Sequence, residues 1–437
     1  MRVLVLTQVV VYPADAGPKV KTLQVLRHLA AQHEVVYCTF VRSDQEVQDA
    51  EKLREICSRV STVPIKRSRV SDARFLLESL ATGDSFILRR DDRAVMRTMV
   101  RQLLEEERID VLHVDQLNMM RFVPPDWRGT VILDEHNAVW QVVERLHKGT
   151  SNPVGRWLLG REVRLMRQIE GEACRRAQVI LAVSEHDQQA LYEVAGESVT
   201  IEVVPITVDA ERFTAIWEAR DPQPGRLFTI GTMFWPPNSE GVIWWLRAGY
   251  EHLRMLCPGV TYDIVGARPP QALKTLAEQC GGVSLHGYVA DVVPFWTHAT
   301  VLAVPLLSGG GIRVKILEAM AMGVPVVSTT VGCEGLEVQD GVHLLIADTP
   351  KDFARACAAV LQDKELAHKL AQNAHQLILE RYDAKIALRP LDLAYERANK
   401  GASVRSRELL GKGGAGDLPC RGSRGVPLAS PFPKKVR

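Results

Sequence analysis

The stretch from Val301 to Thr329, VLAVPLLSGGGIRVKILEAMAMGVPVVST, constrains this chain's fold more than any other. An apolar run over Val301–Val304 ends at Pro305 and predicts a buried strand. Gly309, Gly310 and Gly311 form a loop, after which Ile312, Ile316, Ala319, Met320 and Met322 recur at helical spacing. Gly323 stops that helix, and Val324–Val327 opens a second strand. Strand, glycine loop, helix and strand predict a βαβ unit whose glycines let the backbone come close to a ligand. Unpaired N–H groups at such a helix start, with the helix dipole, make an anion site. Arg313 and Lys315 fall in the predicted first turn, where the dipole disfavours positive charge. An arriving phosphate accounts for them where helix stability does not. The spacing is neither Walker A nor the dinucleotide G-x-G-x-x-G.

Glu318 lies about one and a half turns into that helix. It reads either as a solvated face or as a carboxylate set to accept hydrogen bonds from ribose hydroxyls. Taken together, residues 301–330 resemble the donor-binding signature of glycosyltransferase family 4, the GT-B-fold enzymes that use nucleotide sugars. The family pattern is a Glu, seven residues, a second Glu, Ala-Met-Ala, a small pair with Gly, and Pro-Val-Val. Glu318-Ala319-Met320-Ala321-Met322-Gly323-Val324-Pro325-Val326-Val327 matches the second half, whereas the first Glu falls at Gly310. That carboxylate helps hold the donor sugar in the family, so the resemblance implies conserved nucleotide contacts and altered sugar contacts. The glycine-rich variant with Arg313 and Lys315 is similar to a bacterial subgroup.

A chain of 437 residues exceeds one ordinary domain and predicts two. Its 46% hydrophobic and 24% charged residues suit a globular protein, and a net charge of +2 points to no polyanionic partner by itself. The eight cysteines lack C-x-x-C spacing and the chain opens on MRVLVLTQ, which predicts reduced thiols in a cytoplasmic protein. No apolar run reaches the roughly 20 residues of a spanning helix.

The remaining pattern alternates strand and helix. Arg2–Thr7 predicts a buried parallel strand, followed by a helix over Lys19–Ala31. Gly17 before it fits a cleft-facing glycine loop of the family; Lys19 and Lys21 read as solvated lysines or, less in keeping with exposed lysines generally, as contacts to phosphate or acceptor. Helices follow over Ser71–Thr82 and Asp91–Glu107. The strands Ile109–Asp115 and Thr130–Asn137 place Asp115 and His136 at carboxyl ends, where open α/β sheets bind ligands, while His113 reads as a core histidine. His136 resembles the family histidine near donor sugar and acceptor. Asp134, Glu135 and His136 are strand neighbours that cannot all face one ion, so no metal site is expected. Val154–Ala177 is a long basic pattern, read as an amphipathic surface helix or as a contact with an anionic membrane. Asp221–Gly225 is a linker by composition, and the next helix is placed from Ser239. Residues 401–437 are rich in Gly, Pro and basic residues and read as a disordered basic tail.

Two doubly wound α/β domains facing a cleft follow, spanning 1–207 and 208–382, with residues 383–400 forming a helix that returns to the first in the GT-B manner. The resemblance implies a retaining transferase that moves a hexose from a nucleotide-diphosphate sugar to an acceptor hydroxyl in cell-surface or exopolysaccharide synthesis, with no cofactor or metal. Its partners would be the nucleotide sugar and a sugar or lipid-linked glycan acceptor, not nucleic acid, with peripheral contact at the inner face of the membrane. Arg313, Lys315, Gly309, Gly310, Gly311 and Ile312 would hold diphosphate, Glu318 the ribose, and His136 the reacting sugar. Gly17 and Gly231 would approach the donor, and the loop backbone at Tyr288 and Val289 would read the base. The same resemblance leaves two rivals, a sugar-nucleotide epimerase and a non-catalytic nucleotide-sugar binder, the latter suggested by Gly310.

Overall fold

The computed structural model describes residues 1–14, 17–309 and 311–397. Gly310, the end of the predicted returning helix (398–400) and the predicted tail (401–437) lie outside the described residues.

Two wholly parallel sheets carry the chain. The first contains β1 (Arg2–Thr7), β2 (Glu34–Val41), β3 (Arg59–Pro64), β4 (Val111–Asp115), β5 (Thr130–Asp134), β6 (Val179–Ala182) and β7 (Ile201–Val203). Their order is β3-β2-β1-β4-β5-β6-β7. The second contains β8 (Arg226–Ile230), β9 (Thr261–Val265), β10 (Val283–Gly287), β11 (Val301–Val304), β12 (Val326–Ser328) and β13 (Leu345–Ile346), in the order β10-β9-β8-β11-β12-β13. Helices cover both faces of each sheet, so its central strands read as unbroken apolar runs. Leu4 and Leu6 face one core of the first sheet and Val3 and Val5 the other, each at most 1% exposed. Burying one such aliphatic side chain contributes about 1.5–3 kcal/mol.

Each sheet reverses direction once, between β1 and β4 and between β8 and β11. Ligands bind at such switch points, beyond the carboxyl ends of the strands. The Val301–Thr329 stretch therefore supplies the loop of the second switch point, and the residues after β1 and β4 supply the first.

Residues 388–395 return to the first sheet. Leu388, Leu391, Ala394 and Tyr395 join the core that holds Val3 and Val5. Tyr395 shares a hydrogen bond with His113 Nδ1 (3.0 Å), so His113 is a core residue as expected. Val208 N–H donates to Tyr382 (2.9 Å) and Ala384 N–H to Val208 (3.0 Å), clasping the two segments that pass between the sheets. Asp221–Gly225 is a loop of the second unit, not a linker between sheets. The helix before it, Ala210–Glu218, already packs Ala210, Phe213 and Ile216 into the second core.

Candidate functional site

The second switch point gathers a lysine, an asparagine and two helix starts. Gly231 follows β8, and a Cβ there would lie 2.9 Å from Lys315 Nζ and 3.0 Å from Asn238 Nδ2, so a side chain would displace both. Lys315 donates to Asn238 Oδ1 (3.1 Å). Asn238 sits in the first turn of the helix Pro236–Ala248, which begins at a proline that needs no N–H partner, three residues earlier than expected. Neither that helix nor Val314–Ala321 has a side-chain N-cap among the described residues. The start of Val314–Ala321 therefore leaves backbone donors at the switch point, whereas Pro236–Ala248 brings only the positive end of its dipole, because it opens on two prolines and the Asn238 and Ser239 N–H groups bond the Trp235 carbonyl (3.1 and 3.3 Å).

Arg313 precedes its helix rather than occupying the first turn. The loop runs longer than its spacing suggested because Gly309 (φ +119°) and Gly311 (φ +78°) adopt left-handed backbone before the helix can start. The Arg313 guanidinium turns back to donate to the Gly311 carbonyl. Burial lowers its pKa, the nearby Arg145 adds to that, and Glu334 opposes it. Burial, aided by Arg313, lowers Lys315 to about 7. Burial raises the Glu318 carboxyl to about 7, with Arg212 and Lys315 opposing. A cation and an acid at this site are thus both close to neutrality at pH 7, and an arriving dianion would restore the charge on Lys315.

Across the cleft, Gly17 opens the helix Gly17–Gln32, and a Cβ there would touch Val314 (3.4 Å). A Cβ on Gly311 would lie 3.1 Å from Asn137 Oδ1. Ile312 is buried, and Gly335 packs against it. Arg145, on the helix Val139–Gly149, forks onto Glu334 of the second domain with bonds of 2.9 and 3.2 Å. A small open pocket lies between the two sides. Asn137, Gln141, Arg145 and His186 line it from the first domain, Gly311 and Glu334 from the second.

The floor of the first domain is a buried polar cluster. His136 is 5% exposed; its Nε2 stands 3.0 Å from Asp115 Oδ1, and its Nδ1 is 3.2 Å from Gln116 Nε2. Thr22 donates to Asp115 (2.9 Å), and Lys21 pairs with Asp134. Lys21 is 1% exposed, not solvated as its loop position suggested. Burial alone would raise the Asp134 carboxyl, yet Lys21, His113 and His136 hold it well below the usual carboxylate range. Asp115, Asp134 and His136 bring ligand atoms within 4.8 Å of one another. The Lys21 ammonium pairs with one of the two carboxylates of that group, Asp134. Strand alternation divides the predicted trio. Glu135 points away, accepts from Leu117 N–H (3.3 Å), and is raised well above its ordinary value by burial and by Glu170. Glu170 accepts from Val139 N–H (2.7 Å) and Trp140 N–H (2.8 Å), so it caps the helix that carries Gln141 and Arg145 to the cavity.

The structure thus brings Gly231, Gly309, Gly311, Ile312, Arg313, Lys315 and Glu318 to the second switch point, with Gly17 facing them across the cleft and His136 in the floor of the first domain. Tyr288 is 79% exposed beyond β10 and Val289 packs on the second core. No hydrogen bond among the described residues joins either to Lys315. Sequence reasoning missed Asn238, Asn137, Arg145 and Glu334. Only Asn238 had a local signal, as the first polar side chain of a proline-started helix after a strand-end glycine.

Two family models match successive stretches of the chain. The one described as Glycosyltransferase Family 4 covers residues 17–212, and the one described as Glycosyl transferases group 1 covers 224–363. An uncharacterized 44.6 kDa protein in the cps region of Klebsiella pneumoniae is 26% identical over 163 residues, 36% of this chain. The match spans 42% of that relative's length. Anabaena HepE, solved with UDP and glucose, superposes with a TM-score of 0.62 at 15% identity, covering 93% of this chain and 100% of that one. Staphylococcus aureus TarM, solved with fondaparinux, α-GlcNAc-glycerol and UDP, gives 0.63 at 10% identity over 90% and 99%. Sucrose-phosphate synthase of Thermosynechococcus elongatus gives 0.60 at 14% identity over 94% and 100%. At such identities the superpositions speak to fold alone, and it is the GT-B fold. With both of its halves matched and both sheets wound on that plan, the chain belongs to the family 4, group 1-type glycosyltransferases.

Proposed function

We propose that this glycosyltransferase moves a hexose from a nucleotide-diphosphate sugar to an acceptor hydroxyl, with retention of configuration, during synthesis of a cell-surface or exopolysaccharide glycan. The observation that carries the reading is Lys315, held by Asn238 between two uncapped helix starts at the second switch point. Lys315 and Arg313 take the diphosphate there, Glu318 the ribose, and the backbone at Tyr288 and Val289 the base. His136 faces the reacting sugar from the floor. The bond between the anomeric carbon and the diphosphate oxygen breaks, with its electron pair leaving on the diphosphate. The acceptor oxygen bonds to the same face of that carbon and passes its proton to the departing phosphate oxygen. The protein's part is to position the donor and stabilise the leaving group, with the two cations in the place a metal would take.

The relative named for a cps region and the structures solved with UDP support this reading. In it the acceptor is a sugar or lipid-linked glycan, and the enzyme works on the cytoplasmic side, peripheral to the membrane. No helix of the described residues is long and apolar enough to cross one. Gly310, where the family carries a carboxylate, favours the rival of a non-catalytic nucleotide-sugar binder. Calorimetry with UDP-, GDP- and ADP-sugars, with and without Mg²⁺, separates the two when followed by a transfer assay. Tight, metal-independent binding of one donor, with turnover, is expected. Binding without transfer or donor hydrolysis would establish the rival, and no binding would remove both.

A further inference from the structure

The helix Arg69–Thr82 is packed the wrong way round for a structural element. Helices in globular proteins are stabilised chiefly by burying an apolar face, yet among its 14 residues only Ser79 is buried. Val70, Leu77 and Leu80 are 82%, 68% and 41% exposed. With Ala73 they fall within about 80° of the helix circumference, and Arg69 and Arg74 flank that stripe. The helix is held instead from its ends and back. Ser68 and Ser71 form a capping box, and Gly83 closes the last turn. Arg161 donates to the Ser79 carbonyl (2.6 Å), and Arg93 stacks over Phe75 at 5.0 Å. An apolar stripe with no partner among the described residues marks an interaction surface.

Neighbouring elements extend it. Trp157, 62% exposed, lies one turn before Arg161 on the same side of the helix Pro153–Arg176, and Arg161 reaches the residue before Leu80. Val95, 61% exposed, follows two residues after the arginine that covers Phe75. The charge around the stripe is basic. Lys66, Arg69, Arg74 and Arg156 are exposed, while Glu78 is held by Arg74 (2.7 Å) and Arg89 (3.2 Å). The arginines that suggested membrane contact on Pro153–Arg176 largely turn to protein groups, as Arg74 does to Glu78, whereas Arg69 is exposed. Arg161 bonds Ser79 and Glu162, Arg167 bonds Glu193, and Arg176 bonds the Val123 and Pro124 carbonyls.

Position supplies the last step. The segment leading into Arg69–Thr82 leaves the carboxyl end of β3, and Arg67 forks onto Asp91 (2.9 and 2.5 Å). Asp91 also accepts from Gln8, directly beyond β1 at the first switch point (2.7 Å). The stripe is thereby tied to the mouth of the cleft.

We propose that the face built on Val70, Leu77 and Leu80, with Arg69 and Arg74 beside it, seats the first domain on an anionic membrane surface. Its apolar side chains enter the headgroup layer, its arginines meet lipid phosphates, and a lipid-borne acceptor can reach the cleft without leaving the bilayer. The purpose rests on the transferase reading; the seating does not.

The test is cosedimentation of the full chain with vesicles of phosphatidylcholine, alone or mixed with phosphatidylglycerol. Donor binding and thermal melting are followed in parallel. The parent chain is expected to bind the mixed vesicles at least about tenfold more strongly than the neutral ones. Val70→Asp with Leu77→Asp should abolish that binding, and the milder Leu77→Ser should weaken it, both with unchanged melting because these side chains are already exposed. Arg69→Glu with Arg74→Glu should remove its salt dependence. Failure of the parent to bind, or undiminished binding by both Leu77 variants, overturns the proposal; the latter would move the contact elsewhere, including residues 398–437. A concentration-dependent dimer that Leu77→Asp dissolves, without vesicle binding, would make the face a self-association surface and also overturn it. Vesicle binding with no donor binding would remove the transferase reading and leave the seating intact.

Discussion

Each half of the cleft encloses one lysine, and the two differ in what surrounds them. Lys21, in the first domain, is 1% exposed and ion-paired with Asp134, which His113 approaches to 3.6 Å. Lys315, in the second, is half-buried, and its hydrogen bond goes to the neutral Asn238. A charge that is paired inside a protein serves the fold; one held beside a neutral amide and uncapped helix starts is waiting for an anion. The same residue type is therefore structural on one wall and functional on the other.

Exchanging the two deletions gives the largest effects and can break the comparison. Lys21→Met leaves Asp134 buried without its partner and is expected to lower stability by about 3–5 kcal/mol in chemical denaturation. Adding Asp134→Leu should restore most of it. Lys315→Ala should leave melting unchanged or raised while lowering transfer roughly 10²–10³-fold, the loss associated with removing one transition-state donor. If Lys21→Met left stability intact, or if Lys315→Ala kept full turnover, the distinction between the walls would fail.

That asymmetry also governs what the sequence made visible. The central strands were legible because burial on both faces writes them as continuous apolar runs, as in Leu4–Leu6 and Val301–Val304. The second-domain site was legible because its glycines, Arg313, Lys315 and Glu318 are contiguous. Its helix start was misplaced because nothing in the spacing reveals that Gly309 and Gly311 take left-handed backbone. The first-domain floor was not legible, since its pairings are long-range. Lys21 meets Asp134 across 113 residues, and Arg145 meets Glu334 across 189. The exposed face of Arg69–Thr82 was hidden for another reason: periodicity reports an apolar stripe but not which side of it the protein covers.

The pH dependence sharpens the comparison by a smaller amount. Lys315 is lowered from 10.5 to about 7, so between those values the unfolded chain holds the proton more firmly and stability rises with pH. Glu318 is raised from 4.5 to about 7, so between those values the folded chain holds the proton and stability falls as pH rises. The donor-free protein should therefore have a local stability minimum near pH 7 from these two groups. Lys315→Met should erase the rise above it and Glu318→Gln the fall below it. A bound diphosphate keeps Lys315 protonated, so donor binding above pH 7 should take up a proton and weaken by up to about tenfold per pH unit. Calorimetry in buffers of different ionisation heat reads that uptake directly. Equal apparent enthalpies in all of them would mean that Lys315 stays charged without a ligand, and the contrast with Lys21 would lose its electrostatic basis.

The Arg145–Glu334 fork is the contact where the two walls meet, and it should have the smallest effect on stability. Its side chains are 44% and 38% exposed, so solvent screens the pair. Glu334→Gln is expected to change stability by less than about 1 kcal/mol. Its effect on function should be of a different kind. Arg145 and Glu334 both line the cavity and both act on the charge of Arg313. Removing the Glu334 carboxylate takes away the acidic neighbour that supports the Arg313 cation, while a bound diphosphate would supply a replacement. The acceptor KM should therefore rise more than the donor KM, because the cavity loses a wall group while the diphosphate site keeps Lys315. A larger change in donor KM would show instead that Glu334 acts mainly through Arg313, and that the two walls share one electrostatic unit.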